Sequence, residues 1–215
     1  MAASAICAET GATATSAKAI AVKVLSDSGS GTVSQIISGV NWVATQPQTT
    51  MRPAIAVLAL GGGASAALDS AVKGAISKGV HTVVTAGFSN TDLSNTSPAR
   101  VPEAVTVGSL PRSKVRPSNS NYGSLLDVWS FYPIACPTDI PGCTTPTNAV
   151  SYVASYMAVA IGSYGNKTPT GTISPNFTRI KLIIHAALAA DLINHAVPDV
   201  TGVPSGTTNK RAVPW

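Results

Sequence analysis

Nucleophilic hydrolysis requires a hydroxyl or thiol beside a base that a carboxylate orients, so serines, histidines and aspartates are the first residues to place. The histidines are His81, His185 and His195. His81, in "KGVHTVV", reads as a packed strand residue. His185 follows "KLII" and reads as packed, and His195 stands near a helix C-terminus, where a cation complements the dipole. Ser151 and Ser155, in "TNAVSYVASYMAVA", are weak nucleophile candidates, because a serine at a helix start or on a helix surface is far commoner. Asp27, Asp69, Asp92, Asp127, Asp139, Asp191 and Asp199 read mostly as loop or helix-face carboxylates, and no Ser-His-Asp set emerges from the spacing. One stretch has the form of a cleft wall. In "VTAGFSN" (84–90) a strand runs into a glycine and a polar turn, and Phe88 stands where a cleft would want a hydrogen-bond donor.

Metal and redox chemistry find less support. Cys7, Cys136 and Cys143 lack the paired spacing of a metal knuckle. Cys136 and Cys143 flank "CPTDIPGC", which reads equally as two free thiols or as a small disulfide loop in an oxidising compartment. Asn95, Asn166 and Asn176 each begin an N-glycosylation tripeptide, a pattern that also arises by chance in a Ser/Thr-rich chain.

Any such site needs elements to hold it. Buried parallel strands read as continuous apolar runs, and "AIAVKVL" (19–25), "AIAVLAL" (54–60), "VHTVVTA" (80–86) and "AVTVGS" (104–109) qualify. Val33, Ile36, Ile37, Val40 and Val43 lie at helical spacing between the first two runs. Leu68, Ala71, Val72, Ala75 and Ile76 do so between the next two, with Gly79 as the stop. Further helices are expected at about 150–164 and 178–195, and Ser113 to Thr147, rich in Pro, Ser and Asn, reads as loops around short strands. The alternation predicts one three-layer α/β domain over 1–215, with ligands at the carboxyl ends of the strands.

Composition narrows the partners. The chain has 215 residues, 45% hydrophobic and only 11% charged, which fits a well-filled core and argues against disorder. The net charge of +5 comes from scattered Lys and Arg, so no nucleic-acid partner is expected. No apolar run reaches the roughly 18 residues needed to span a bilayer, and no membrane partner is expected. The N-terminus "MAASAICAETGATATSA" lacks the basic start and apolar core of a signal peptide.

Several stretches, in order, carry a resemblance: "AVKVLSDSGSGTVSQIISGVNWVA", "LALGGGASAALDSAVKGAISKGVHTVVTAG", "NTSPARVPEAVTVGS", "NYGSLLDVW" and "TGVPSGTTN". The chain resembles the subtilisin-like serine proteases, in particular the proteinase K branch, from about residue 17 onward. The resemblance implies a three-layer subtilisin-like fold whose mostly parallel central sheet is flanked by helices. It implies an extracellular setting, and a family Asp on a first strand upstream of this sequence, so the chain is expected to lack that N-terminal strand and to leave a sheet edge open.

The same resemblance locates the family's chemistry. Its H-G-T-H motif falls on "ASAICAE", placing Ala3 at the catalytic His and Ile6 at the second His. Its oxyanion Asn falls on Phe88, and loss of such a donor costs on the order of 3–4 kcal/mol of transition-state stabilisation. Its nucleophile motif falls on the stretch containing Ser151, Ala154 and Ser155, without the Gly-Thr-Ser turn. A calcium ligand Asp is replaced by Pro111, so no calcium and no other cofactor is expected. The peptide-holding edges correspond to Ser28–Gly31, including Gly31, and to Leu60, Gly61, Gly62 and Gly63; the pocket floor corresponds to Thr85, Ala86 and Gly87. The expected function is a homologue of a serine endopeptidase that is inactive as written and binds an extended peptide or protein segment. The alternative is an active secreted endopeptidase whose sequence is incomplete or erroneous around the triad. No oligomeric state is indicated.

Overall fold

The computed structural model describes residues 14, 16–50, 52–132, 149–164 and 187–215. Ala3, Ile6, Cys7, Cys136, Asp139, Cys143, Asn166, Asn176 and His185 lie outside them. The order of elements is α1 (Val33–Val43), α2 (Gln46–Thr50), β1 (Ala54–Leu58), β2 (Gly62–Gly63), α3 (Ala66–Ser77), β3 (Val80–Thr85), β4 (Thr96–Ser97), β5 (Val105–Leu110), β6 (Val128–Phe131) and α4 (Ala149–Tyr164). A further helix, α5, covers 187–195.

The expected βαβ alternation forms a four-stranded parallel sheet in the order β1-β3-β5-β6. β3 and β5 are buried at every position, which is why their sequences are continuously apolar rather than alternating. Two apolar layers cover the sheet. On one face α1 and α3 contribute Val40, Leu68, Val72 and Ile76. On the other, α4 and α5 contribute Val150, Val153, Met157 and Leu192.

Local chemistry sets the helix ends. Thr32 caps α1 by accepting from the Gln35 N–H, while Gln35 Oε1 accepts from the Thr32 N–H at 2.9 Å, a reciprocal pair that satisfies two otherwise orphaned donors. Ser65 caps α3, and Gly79 at φ +88° follows its C-cap, as its sequence position predicted. Asp69 in the first turn of α3 meets Arg100 Nε at 2.6 Å, tying the helix to the segment before β5.

One expectation changes. The run 19–25 forms no strand: Ile20 is 54% exposed, and this segment makes no backbone–backbone hydrogen bond among the described residues. Its Val22 and Val24 side chains lie against Gly39 of α1 instead. β1 is accordingly the outer strand of the sheet among the described residues, with Ala54 to Val57 only half-buried. β6 falls inside the stretch expected to form loops around short strands. It is secured by fully buried Trp129, whose ring lies over Gly108 of β5 and whose Nε1 donates to the Thr208 carbonyl at 2.8 Å. The C-terminal segment then runs along β6, with the Ala212 N–H donating to Trp129 O at 2.8 Å.

Candidate functional site: a neutral groove at the strand ends

β1 and β3 run parallel, so their carboxyl ends open on the same side, where α/β sheets commonly place ligands. The chain leaves β1 through Leu60 into Gly61–Gly63, and leaves β3 through Ala86 and Gly87 into Phe88. Between them lies a groove of about 480 Å³. Its walls are Leu60 to Gly63, Thr85 to Ser89, and residues from Thr91 through the β4 region, and Asn121 also contributes.

Among the described residues that line it, none has an ionisable side chain. An occupant would be held by main-chain hydrogen bonds, hydroxyl and amide groups and apolar contact, not by ion pairing. The two-residue strand β2 pairs antiparallel with β4, Gly62 opposite Ser97 and Gly63 opposite Thr96. Ser97 completes the corner, its Oγ accepting from the Ser65 N–H at 2.9 Å. A methyl group added at Gly62 or Gly63 would meet no atom within 4 Å, so the packing of the chain itself does not require glycine there. Gly87 differs. Its φ is +92°, and an added Cβ would stand 2.8 Å from Asn121 Nδ2, so both conformation and space demand glycine.

The structure brings Leu60, Gly61, Gly62, Ala86 and Gly87 to one groove, together with half-buried Phe88. Gly31 does not line it. Gly31 precedes the Thr32 cap, and an added Cβ would stand 2.6 Å from the Val24 carbonyl oxygen, so packing accounts for this glycine. The turn before it is closed on itself, with Ser26 N–H donating to Ser30 O at 2.8 Å.

Ser151 and Ser155 do not reach the groove either. Both sit in α4 with no exposed surface. Ser155 Oγ donates to the Tyr152 carbonyl at 2.7 Å, and Ser151 Oγ is buried without a hydrogen-bond partner among the described residues. A hydroxyl in that setting cannot approach a carbonyl carbon. His81 is buried within β3, opposite Ile55. His195 stacks on Trp215 with ring centroids 5.9 Å apart, and its Nδ1 lies 3.4 Å from Asp191 Oδ1. Neither histidine lines the groove.

The position assigned to a calcium ligand does not fit the ion. Pro111 offers no side-chain oxygen, and its carbonyl accepts from the Lys114 N–H at 3.0 Å. Among the described residues no three His, Cys, Asp or Glu side chains gather as a metal site requires.

Asn121 lies in "NYGSLLDVW", one of the stretches that carry the resemblance, but the sequence alone assigns it no role. A buried amide that joins segments about thirty residues apart leaves no local periodic signal.

Comparison with known proteins agrees with this geometry. A crystal structure of a cold adapted subtilisin-like serine proteinase superposes with a TM-score of 0.81 at 36% identity, covering 100% of this chain and 73% of that one. The cuticle-degrading protease of Metarhizium anisopliae is 36% identical over 206 residues, 91% of this chain and 48% of its own. Alkaline serine exoprotease A of Vibrio alginolyticus is 50% identical over 111 residues, 52% of this chain and 20% of its own. The chain thus spans about half the length, or less, of these curated relatives. No family model matches it. Fold and relatives together place the chain in the subtilisin-like serine protease family, of the proteinase K type.

Proposed function

We propose that this chain is a catalytically silent member of its family that holds an extended, uncharged peptide or protein segment in the groove between Gly61–Gly63 and Ala86–Gly87. The observation that carries the reading is the composition of that groove. It keeps the main-chain edge at Leu60–Gly63, whereas Phe88 contributes a ring where the family has a hydrogen-bond donor. A strand-like ligand binds mainly through backbone groups, which survive side-chain replacement. Transition-state stabilisation depends on specific side-chain donors, which do not.

Three features support the loss of catalysis. Ala3 occupies the position aligned with the catalytic histidine, Ser151 and Ser155 are enclosed in α4, and no histidine among the described residues lines the groove. The open space beside Gly62 and Gly63 supports the retention of binding, since a ligand backbone can approach there without displacing a side chain. The extracellular setting of the family's secreted proteases is part of this reading.

Incubation with a fluorogenic peptide and with a serine-directed fluorophosphonate tests the catalytic half. The expected result is no turnover above buffer and no labelled serine; specific turnover with labelling of Ser151 or Ser155 would overturn the reading. Fluorescence anisotropy of a dye-labelled neutral hexapeptide tests the binding half. Saturable binding that Gly62→Val weakens is expected, and the absence of saturable binding refutes it.

A further inference from the structure

The floor of the groove is a loop that does not hold itself. Between Gly87 and Thr91 the chain forms no internal turn hydrogen bond among the described contacts, Asn90 sits at φ +50°, and Gly87 at +92°. What fixes the loop is the segment 119–122. Asn90 N–H donates to Asn119 O at 2.9 Å, Asn121 N–H to Gly87 O at 3.0 Å, and Tyr122 N–H to Thr91 O at 3.2 Å.

The Asn121 side chain does more than add to this ladder. Its Oδ1 accepts from the Ser89 N–H at 2.9 Å, the Thr91 N–H at 3.1 Å and the Thr91 hydroxyl at 3.3 Å. Its Nδ2 donates to the Ala86 carbonyl at 2.8 Å. One buried amide therefore bridges the last residue before the turn to two residues beyond it. It passes beneath Gly87, where an added Cβ would collide with Nδ2. Ser89 and Thr91 both line the groove, so the atoms that Asn121 fixes belong to the surface a ligand meets.

We propose that Asn121 is the positioning residue of the groove, setting the main-chain conformation of Ala86–Thr91 from below. Its consequence for ligand affinity rests on the peptide-binding reading above, but its effect on the loop does not. An apolar replacement would leave the Ser89 and Thr91 amides and the Ala86 carbonyl unpaired, and the loop would move to find water for them. Asn121→Asp separates the two halves of the amide. A carboxylate still accepts from Ser89 and Thr91, but when ionised it cannot donate to Ala86.

Hydrogen exchange resolved to single amides tests the proposal without any ligand. In Asn121→Ala the Ser89 and Thr91 amides should exchange at least tenfold faster while those of α1 are unchanged; Asn121→Asp should keep both slow. If Ser89 and Thr91 exchange at wild-type rates in Asn121→Ala, or if every amide accelerates equally, the positioning role is wrong. Should Asn121→Ala fail to fold, the Asn121→Asp result decides: fast exchange at Ser89 and Thr91 overturns the assignment, and retained protection supports it. Binding of the dye-labelled neutral hexapeptide is then measured on the same proteins. Where the wild type binds, Asn121→Ala should lose at least tenfold in affinity at a temperature where both proteins are folded, and equal affinity overturns the proposal. Where the wild type does not bind, the peptide-binding reading fails, and the exchange result alone decides the role of Asn121.

Discussion

Asp127 should lower the stability of this fold at neutral pH, and its removal should reveal by how much. The residue lies at the entrance to β6, where its Oδ2 accepts the Thr106 N–H at 2.7 Å and its own N–H donates to the Thr106 carbonyl at 3.1 Å. Burial pushes its carboxyl up from 3.8 to about 6, against the opposing effect of the Thr106 hydrogen bond, and no cation among the described residues counters it. The folded state therefore binds the proton more tightly than the unfolded chain. The contribution of this group to stability is greatest below about pH 4, falls as pH rises to about 6, and is level above that. A shift of roughly two units corresponds to about 3 kcal/mol at the upper limit. The amide of an Asp127→Asn variant would carry no charge and still accept from Thr106, while its new N–H donors cost part of the gain where they find no acceptor. The variant should thus be about 1–3 kcal/mol more stable than wild type at pH 7.5 and nearly equal to it at pH 3.5. Urea titrations of both proteins at the two pH values measure the difference. An Asp127→Asn protein that is less stable at pH 7.5, or a gain that persists unchanged at pH 3.5, would refute the reasoning.

Asp199 should behave in the opposite sense. The Arg211 guanidinium, with Lys114 beside it, holds its carboxyl down at about 2, so its contribution is present above pH 4 and lost as pH falls towards 2. Because the group is partly exposed, Asp199→Asn should cost only about 1 kcal/mol at pH 7 in urea titrations and nothing at pH 2. Gly108→Ala would put a methyl group 2.5 Å from Trp129 Cε3 in the middle of the sheet, and the displacement should cost about 2–3 kcal/mol, read as a lower melting temperature with red-shifted tryptophan emission.

How far the fold could be read in advance depended on what each residue's role requires. β3 and β5 were legible because strands buried on both faces must be apolar throughout, and α1 and α3 because one-sided burial imposes a helical period. β6 was hidden because its four residues, Val-Trp-Ser-Phe, are too few to establish a pattern and owe their burial to Gly108 and to the C-terminal segment, both distant in sequence. In the groove the glycines were visible as a run, and Phe88 stood out as an aromatic residue in a polar turn. Asn121 was not, since a polar residue in a polar stretch looks the same whether it faces water or carries four side-chain hydrogen bonds.

The run 19–25 marks the limit of reading strands from hydrophobicity. "AIAVKVL" and "AIAVLAL" are nearly the same sequence, yet the second pairs along its length with β3 and the first pairs with nothing among the described residues. A continuous apolar run states only that both faces avoid water; whether it becomes a strand depends on a neighbour offering a ladder of backbone groups. β1 finds that neighbour in β3, three residues beyond the helix that connects them at Ser77. The 19–25 segment satisfies the apolar demand differently, laying Val22 and Val24 on α1 at Gly39 and leaving Ile20 exposed. Among the described residues, its backbone and the outer edge of β1 are therefore two places that leave backbone hydrogen-bonding groups unpaired by other strands. A lysine at Ala54, the β1 residue that packs in neither apolar layer, should leave the β1–β3 ladder intact and suppress any concentration-dependent association through that edge in sedimentation velocity. Association unchanged in Ala54→Lys would place the contact elsewhere on the molecule.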